Sequence, residues 1–253
     1  MCKYFINRWS GRTSNNLMSI IHVIKLAIDN KKNYSIIRHP IFNVVMRENK
    51  EACKCHRKIT DKEVFHYTFL KIMKLKEYKE IFNNYVIIKG KNHNISYDVC
   101  FHIRGGDVFT DMTNPSPYVP LPLTFYKKYI EIYKDKNICI VHEDDKNPVV
   151  NILKKEYPNI NFQSSDLISD IYTLANCEIF IPSTGTFFLT PFCISNKIKK
   201  IIYPEYLDRW FNTSDWGVEA EKIKFPNYIK SEEWLSNCKK KLDLVLNYEY
   251  SIV

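Results

Sequence analysis

The chain has 253 residues, of which 45% are hydrophobic and 26% charged, the proportions of a globular protein long enough to bury a core and not those of a disordered segment. Its formal charge of +9 is spread over lysines scattered among Asn, Ile and Tyr, and no element concentrates Lys and Arg or interleaves them with stacking aromatics. A nucleic-acid partner is therefore not expected, although the excess suits an anionic small molecule, glycan or surface. No apolar run approaches the roughly 18 residues of a membrane span, and the polar start Met1-Cys2-Lys3-Tyr4 does not read as a signal peptide, so a soluble, cytoplasmic protein is expected.

Residues 3–7 read as a short strand. The turn Gly11-Arg12-Thr13-Ser14-Asn15-Asn16-Leu17 then opens a helix over about 14–30, with Leu17, Ile20, Ile21, Ile24 and Ile28 on one face. Backbone N–H groups at such a start, together with amide side chains, suit sugar hydroxyls or phosphate. A strand follows around 34–38, then a charged, irregularly helical stretch over 43–79, and strands at 85–89 and 97–103. Within the charged stretch, Cys53-Lys54-Cys55-His56 resembles half a metal site with no second half, so no metal is expected. Of the eight cysteines, Cys100, Cys139, Cys177 and Cys193 fall in or beside apolar segments and read as reduced core residues.

The chain has only six glycines, and two stand together in Phe101-His102-Ile103-Arg104-Gly105-Gly106-Asp107, directly after an apolar strand. Glycine lets backbone approach a ligand closely, and arginine offers a rigid fork of donors for phosphate or carboxylate. An anion site is one reading of this turn; a surface turn in which Arg104 pairs with Asp107 is the other. Pro115, Pro117, Pro120 and Pro122, with Tyr118 among them, stiffen the next loop, which reads as a wall or lid over the site or as a plain connection.

From residue 97 onward strands and helices alternate: strand 137–141, helix 148–157, strand 160–162, helix 166–176, strand 178–181, helix 184–195, strand 200–203. Repeated βα units imply a parallel sheet covered on both faces, with ligands at the carboxyl ends of its strands, where Arg104, Glu143 and Ser183 fall. Glu143-Asp144-Asp145 closes one strand and suits contacts with a base or ribose in preference to Mn²⁺. The turn Ser183-Thr184-Gly185-Thr186-Phe187 reads as a phosphate cradle at a helix start, or with Ser183 as a simple N-cap. Neither a P-loop nor a G-x-G-x-x-G occurs. A last helix over 231–247 carries Trp234, Leu235, Cys238, Leu242 and Val245 on an apolar face that packs back on the body.

In this order, Gly-Arg-x-x-Asn-Asn-Leu, then His-x-Arg-x-x-Asp after a strand, then a strand with an acidic pair, then Asp-x-x-x-Leu-x-x-Cys and Ser-x-Gly-Thr-Phe, the chain resembles the nucleotide-sugar glycosyltransferases related to α-1,2, α-1,6 and protein O-fucosyltransferases. The similarity spans residues 8–204. It implies an α/β fold of GT-B type, two Rossmann-like halves with parallel sheets and the donor in the cleft, and an inverting transfer that needs no metal or other cofactor. The divisions expected are an acceptor-side half with a helical excursion at 1–100, a nucleotide-sugar half at 101–210 and a helical segment at 211–253. Carried across, Arg104 matches the arginine that binds the donor diphosphate, while His102 and Asp107 flank it. Asp107 is the first candidate for the general base and His102 the second. Arg12, Asn16, Gly105, Gly106, Glu143, Asp144, Asp170, Ser183, Thr184, Gly185, Thr186 and Phe187 fall at donor-side positions. The resemblance implies glycosyl transfer onto a glycan acceptor, with a GDP-sugar such as GDP-fucose as the favoured donor; Gly105 stands where the fucosyltransferase pattern commonly has a second arginine, a departure that bears on GDP-fucose and not on glycosyl transfer itself. A catalytically inactive glycan- or nucleotide-binding protein of the same architecture is the competing expectation.

Overall fold

The computed structural model describes residues 3–6, 8–9, 11–46, 56–58, 73–90, 95–110, 119–228 and 238–250. In chain order the elements are β1 (Lys3–Ile6), α1 (Thr13–Asp29), β2 (Asn33–Ile36), β3 (Phe42–Val44), β4 (His56–Lys58), α2 (Leu75–Tyr85), β5 (Val86–Ile88), β6 (Tyr97–Ile103), α3 (Asp107–Thr110) and α4 (Leu123–Ile132). They continue with β7 (Ile138–His142), α5 (Pro148–Glu156), β8 (Asn161–Gln163), α6 (Leu167–Ala175), β9 (Cys177–Ile181), α7 (Leu189–Ile194), β10 (Lys200–Pro204), a 3₁₀ turn at Glu205–Arg209, β11 (Glu219–Ile223) and α8 (Cys238–Asn247). Two compact units interleave along the chain. The first comprises Met1–Asn92, Thr186–Ser195 and Asp208–Gly217, and the second His93–Gly185, Asn196–Leu207 and Val218–Val253.

In the first unit β1 pairs in parallel with β2 on one side and β4 on the other, while β3 and β5 form an antiparallel pair. Helix α1 joins β1 to β2, and its apolar spacing of three and four residues buries Leu17, Ile20, Ile21 and Ile24 completely. Ile28, expected on the same face, is 45% exposed: the helix stops at Asp29, and the small Ala27 closes the buried stripe instead. His22 lies on this helix and its Nε2 is 2.6 Å from the Tyr78 hydroxyl of α2, a buried polar pair. Helix α2 is begun by a capping box in which Glu77 accepts from the Lys74 N–H at 2.8 Å. The Cys53-Lys54-Cys55 portion of the cysteine–histidine motif lies outside the described residues.

In the second unit six strands, all parallel, lie in the order β11-β10-β9-β6-β7-β8 with helices flanking them. Starting from β6, the chain winds outward through β7 and β8, returns to the other side of β6 as β9, and winds outward again through β10 and β11. This doubly wound order is consistent with a Rossmann-like α/β fold, and its topological switch lies between β6 and β9. All five residues of β7 are buried, as are those of β6 from Val99 onward, because a parallel strand covered on both faces needs apolar side chains on both. The edge strands are less buried: on β8 Asn161 is exposed and Phe162 and Gln163 are half-buried, and on β11 Glu219, Ala220 and Lys222 are exposed. Cys100, Cys139 and Cys177, on β6, β7 and β9, and Cys193, on α7 in the first unit, are buried free thiols, and Cys100 stands directly opposite Cys139.

One helix and three short strands differ from expectation. The turn after β9 does not enter a helix at Thr184. Gly185 takes a φ of +97°, helix α7 begins only at Leu189, and with Pro191 at its third position it runs six residues. Strands β3, β4 and β11 are short, and none carries the apolar alternation that makes a strand legible. The beginning of the last helix, with Trp234 and Leu235, and Pro115, Pro117 and Tyr118 of the proline loop lie outside the described residues. Pro120 and Pro122 belong to a buried segment leading into α4, where the Pro120 carbonyl accepts from the Tyr228 hydroxyl at 2.7 Å. Among the described residues, no helix is long and apolar enough to cross a membrane.

Phe180 is fully buried at the centre of β9. Replacing it with alanine removes a ring that nothing nearby can replace, and urea denaturation of Phe180→Ala is expected to show a loss of about 3–5 kcal/mol.

Candidate functional site

At the switch between β6 and β9 the two strand ends separate, and Arg104 is the first residue past β6. Its backbone is held from both sides. The Arg104 N–H donates to the Ser183 hydroxyl beyond β9 at 3.1 Å, and its carbonyl accepts from the Asn147 side-chain amide beyond β7 at 3.0 Å. The Asn147 oxygen in turn accepts from the Val149 N–H at 3.1 Å, so the same side chain caps α5, whose first residue is Pro148. Ser183 and Asn147 are both buried. The clamp fixes the backbone from which the guanidinium extends.

The two glycines have a specific partner. Gly105 N–H donates to Glu143 Oε2 at 3.3 Å, and Gly106 N–H is shared between the two oxygens of Asp144, each at 3.1 Å. A β-carbon on Gly105 would lie 2.0 Å from Asp144 Oδ1, and one on Gly106, whose φ is +60°, 2.7 Å from Glu143 Oε1. The close approach for which glycine is needed is thus made here by the acidic pair that closes β7. Asp144 also accepts from the Lys146 N–H at 3.1 Å, a turn within the loop after β7, while its bonds to Gly106 join that loop to the glycine turn. The glycine amides thus donate to carboxylates of this chain.

Beside this turn lies a buried polar group drawn from adjacent strands. His102 on β6 is 6% exposed, and burial, reinforced by the Arg104 guanidinium, pulls its imidazole down to about 3. Thr184, after β9, is 1% exposed, and Tyr206, just after β10, is 6% exposed. The hydroxyls of Thr184 and Tyr206 are neighbours close enough to interact with each other, and neither has a further hydrogen-bond partner. Burial pushes the Tyr206 phenol up, which keeps it protonated and able to donate. A buried hydroxyl left without a partner costs about 1–3 kcal/mol, so two with only each other are a departure from ordinary core construction.

The second unit therefore brings together Arg104, Gly105, Gly106, Glu143, Asp144 and Ser183 through direct hydrogen bonds, with His102 and Thr184 beside them and Gly185 ending the turn. Asp107 opens α3 immediately after the glycine turn, and its side chain lies outside the described residues. Asp170 is in the first turn of α6, where one oxygen accepts from Gln163, the Ser165 N–H and the Ser165 hydroxyl at 2.8, 3.2 and 2.8 Å, and it organises the β8–α6 connection. Asp145, beside the acidic pair, is exposed and paired with Lys154 at 2.9 Å. Among the described residues, no three His, Cys, Asp or Glu side chains are grouped to hold a metal ion.

Arg12, Asn16, Thr186 and Phe187 belong to the first unit. There the Ser14 hydroxyl donates to the Phe187 carbonyl at 3.0 Å and lies 2.6 Å from that of Thr190, the Thr186 hydroxyl donates to Asn15 at 2.7 Å, and the Arg12 carbonyl accepts from the Asn16 N–H. Asn16 is buried with its amide 3.2 Å from His39 Nε2. His39 Nδ1 accepts from the N–H groups of Ile41 and Phe42, so the neutral ring carries its proton on Nε2, and the amide oxygen of Asn16 is the atom that belongs opposite it. Burial and the nearby Lys89 ammonium pull His39 down to about 4.

Sequence reasoning missed Asn147, Tyr206 and His39. Asn147-Pro148 before an apolar periodic run is a helix-start signature, so Asn147 was within reach. Tyr206 and His39 carry no local signal, since only pairing of distant strands and burial give them a role. No protein-family model matches the chain, and no curated protein is significantly similar to it.

Two measurements test this geometry. In Gly105→Ala the new methyl group displaces Asp144 from the glycine turn, and urea denaturation is expected to show a loss of about 1–3 kcal/mol. Both His102 and His39 take up protons in the unfolded chain near 6.5 but in the native state only at about 3 and 4. The native state is then disfavoured progressively as pH falls below about 6.5. Melting temperature should drop between pH 6.5 and 4, and His102→Gln should make that drop shallower, by at most about 1.4 kcal/mol per pH unit.

Proposed function

We propose that the chain is a glycosyltransferase that moves a sugar from a nucleoside-diphosphate donor to a glycan acceptor, with inversion and without a metal in the chemical step. The observation that carries this reading is the placement of Arg104: an arginine clamped by Ser183 and Asn147 at the switch point of a doubly wound parallel sheet, where ligands of such sheets bind. The order of motifs from Gly11 to Phe187 supports it further. A GT-B architecture, with the second unit as donor half, belongs to the same reading.

As the bond from the anomeric carbon to the diphosphate breaks, negative charge grows on the departing phosphate oxygens. A guanidinium already held in place stabilises that charge without the reorganisation that water requires. The acceptor hydroxyl must lose its proton as it attacks the anomeric carbon. The His102 imidazole, buried and pulled down to about 3, is a weak proton acceptor at neutral pH, which leaves the Asp107 carboxylate as the base in this reading. GDP is the favoured nucleotide on the strength of the motif order alone.

Thermal-shift measurements with GDP, UDP, dTDP and CMP are expected to show stabilisation by one base over the others. At about 100 times the dissociation constant, the bound nucleotide adds roughly 2.7 kcal/mol. Transfer or donor hydrolysis, followed by mass spectrometry, is expected to fall about 10²- to 10³-fold in Arg104→Ala while its melting temperature without ligand stays near that of the wild type. Binding without turnover on a broad acceptor panel assigns the chain to the inactive binding proteins instead.

A further inference from the structure

Tyr206 has no place in the motif order, yet it stands beside the switch point. β10, which delivers it, is the neighbour of β9, and β9 is the neighbour of β6, so Tyr206, Thr184 and Arg104 follow the carboxyl ends of three consecutive strands of one sheet. The phenol of Tyr206 and the hydroxyl of Thr184 are both buried and are neighbours, and beyond each other they have no hydrogen-bond partner. Buried polar atoms in native proteins are ordinarily satisfied, so two hydroxyls with only each other beside a guanidinium mark a place where a partner is supplied from outside the chain.

The chemistry of that partner follows from the three groups. A cation is repelled by the guanidinium, and an apolar group leaves the hydroxyls with no further partner. An oxygen bearing negative charge accepts from both hydroxyls and pairs with the guanidinium as well. A tetrahedral phosphate, with several such oxygens, can meet donors arriving from three strands at once. Arg104 is the half-buried member of the trio.

We propose that Tyr206 is an anion-binding residue of the switch-point crevice, where its phenol and the Thr184 hydroxyl donate to a phosphate oxygen drawn in by Arg104. This rests on the reading that the crevice takes a phosphorylated ligand, but not on glycosyl transfer. The phosphate belongs either to a free phosphate or pyrophosphate ion or to a nucleotide, and the probes below separate these.

Titration calorimetry of the full chain with inorganic phosphate, pyrophosphate and GDP provides the test. Tyr206→Phe, which removes only the hydroxyl, is expected to weaken pyrophosphate and GDP about tenfold, and Thr184→Val similarly. Because the hydroxyl removed has no partner in the free protein beyond the Thr184 hydroxyl, the melting temperature of Tyr206→Phe without ligand should stay near that of the wild type. GDP binding much tighter than pyrophosphate identifies the source as a nucleotide, and equal binding identifies the free ion. Unchanged affinity in Tyr206→Phe overturns the proposal, as does a wild-type chain that binds none of the three at millimolar concentration. If Tyr206→Phe loses affinity but the wild type neither transfers nor hydrolyses a sugar nucleotide, the role of Tyr206 stands and glycosyl transfer falls. If transfer by Tyr206→Phe keeps wild-type kcat and KM, the reverse holds.

Discussion

The backbone of Arg104, held at its N–H by Ser183 and at its carbonyl by Asn147, is the constraint on which the site depends. At a topological switch the strands on either side lead away from each other, and no ladder hydrogen bond is available to the residue that follows the central strand. Side chains from the two flanking strand ends supply those bonds instead. An arginine whose root is fixed in this way loses less entropy on engaging a ligand than one on a mobile loop, which is the physical meaning of preorganisation.

The same turn shows how charge is distributed around that arginine. Glu143 and Asp144 are acidic residues beside a candidate anion site, an arrangement that ought to repel the ligand. They are instead engaged with the amides of Gly105 and Gly106, and that engagement gives the turn its rigidity. Arg104 stands beside them as the cation of the turn, half-buried, with the neutral hydroxyls of Thr184 and Tyr206 nearby. Stability and function pull in opposite directions at those hydroxyls. A core built for stability alone would replace them with apolar groups, whereas a site for an oxyanion keeps them.

Much of the second unit was legible. The strands at β6, β7, β9 and β10 are continuous apolar runs, and the intervening helices have clear starts, such as Asn147-Pro148 and Asp166, whose carboxylate accepts from the N–H groups of Ile168 and Ser169. The parallel sheet follows from their alternation. The first unit was less legible because β3 and β4 are three residues long, too short for a period to show, and because α1 buries Ser14, Asn16, Ser19 and His22 alongside its apolar stripe. In the turn after β9 the hydroxyls suggested a helix start, but the positive φ of Gly185 and the ring of Pro191 postponed and shortened the helix.

Sequence by itself determined the parallel α/β architecture of the second unit and the position of Arg104 at a strand end, because both follow from local apolar periodicity and from the glycines that interrupt it. Tertiary structure alone decided that β9 returns to the side of β6, that the acidic pair closes on the glycine turn, and that Tyr206 and Thr184 share a buried position near the guanidinium. Those are contacts between residues from about 20 to about 100 positions apart, and their energy comes from burial and hydrogen bonding that exist only after the strands have paired.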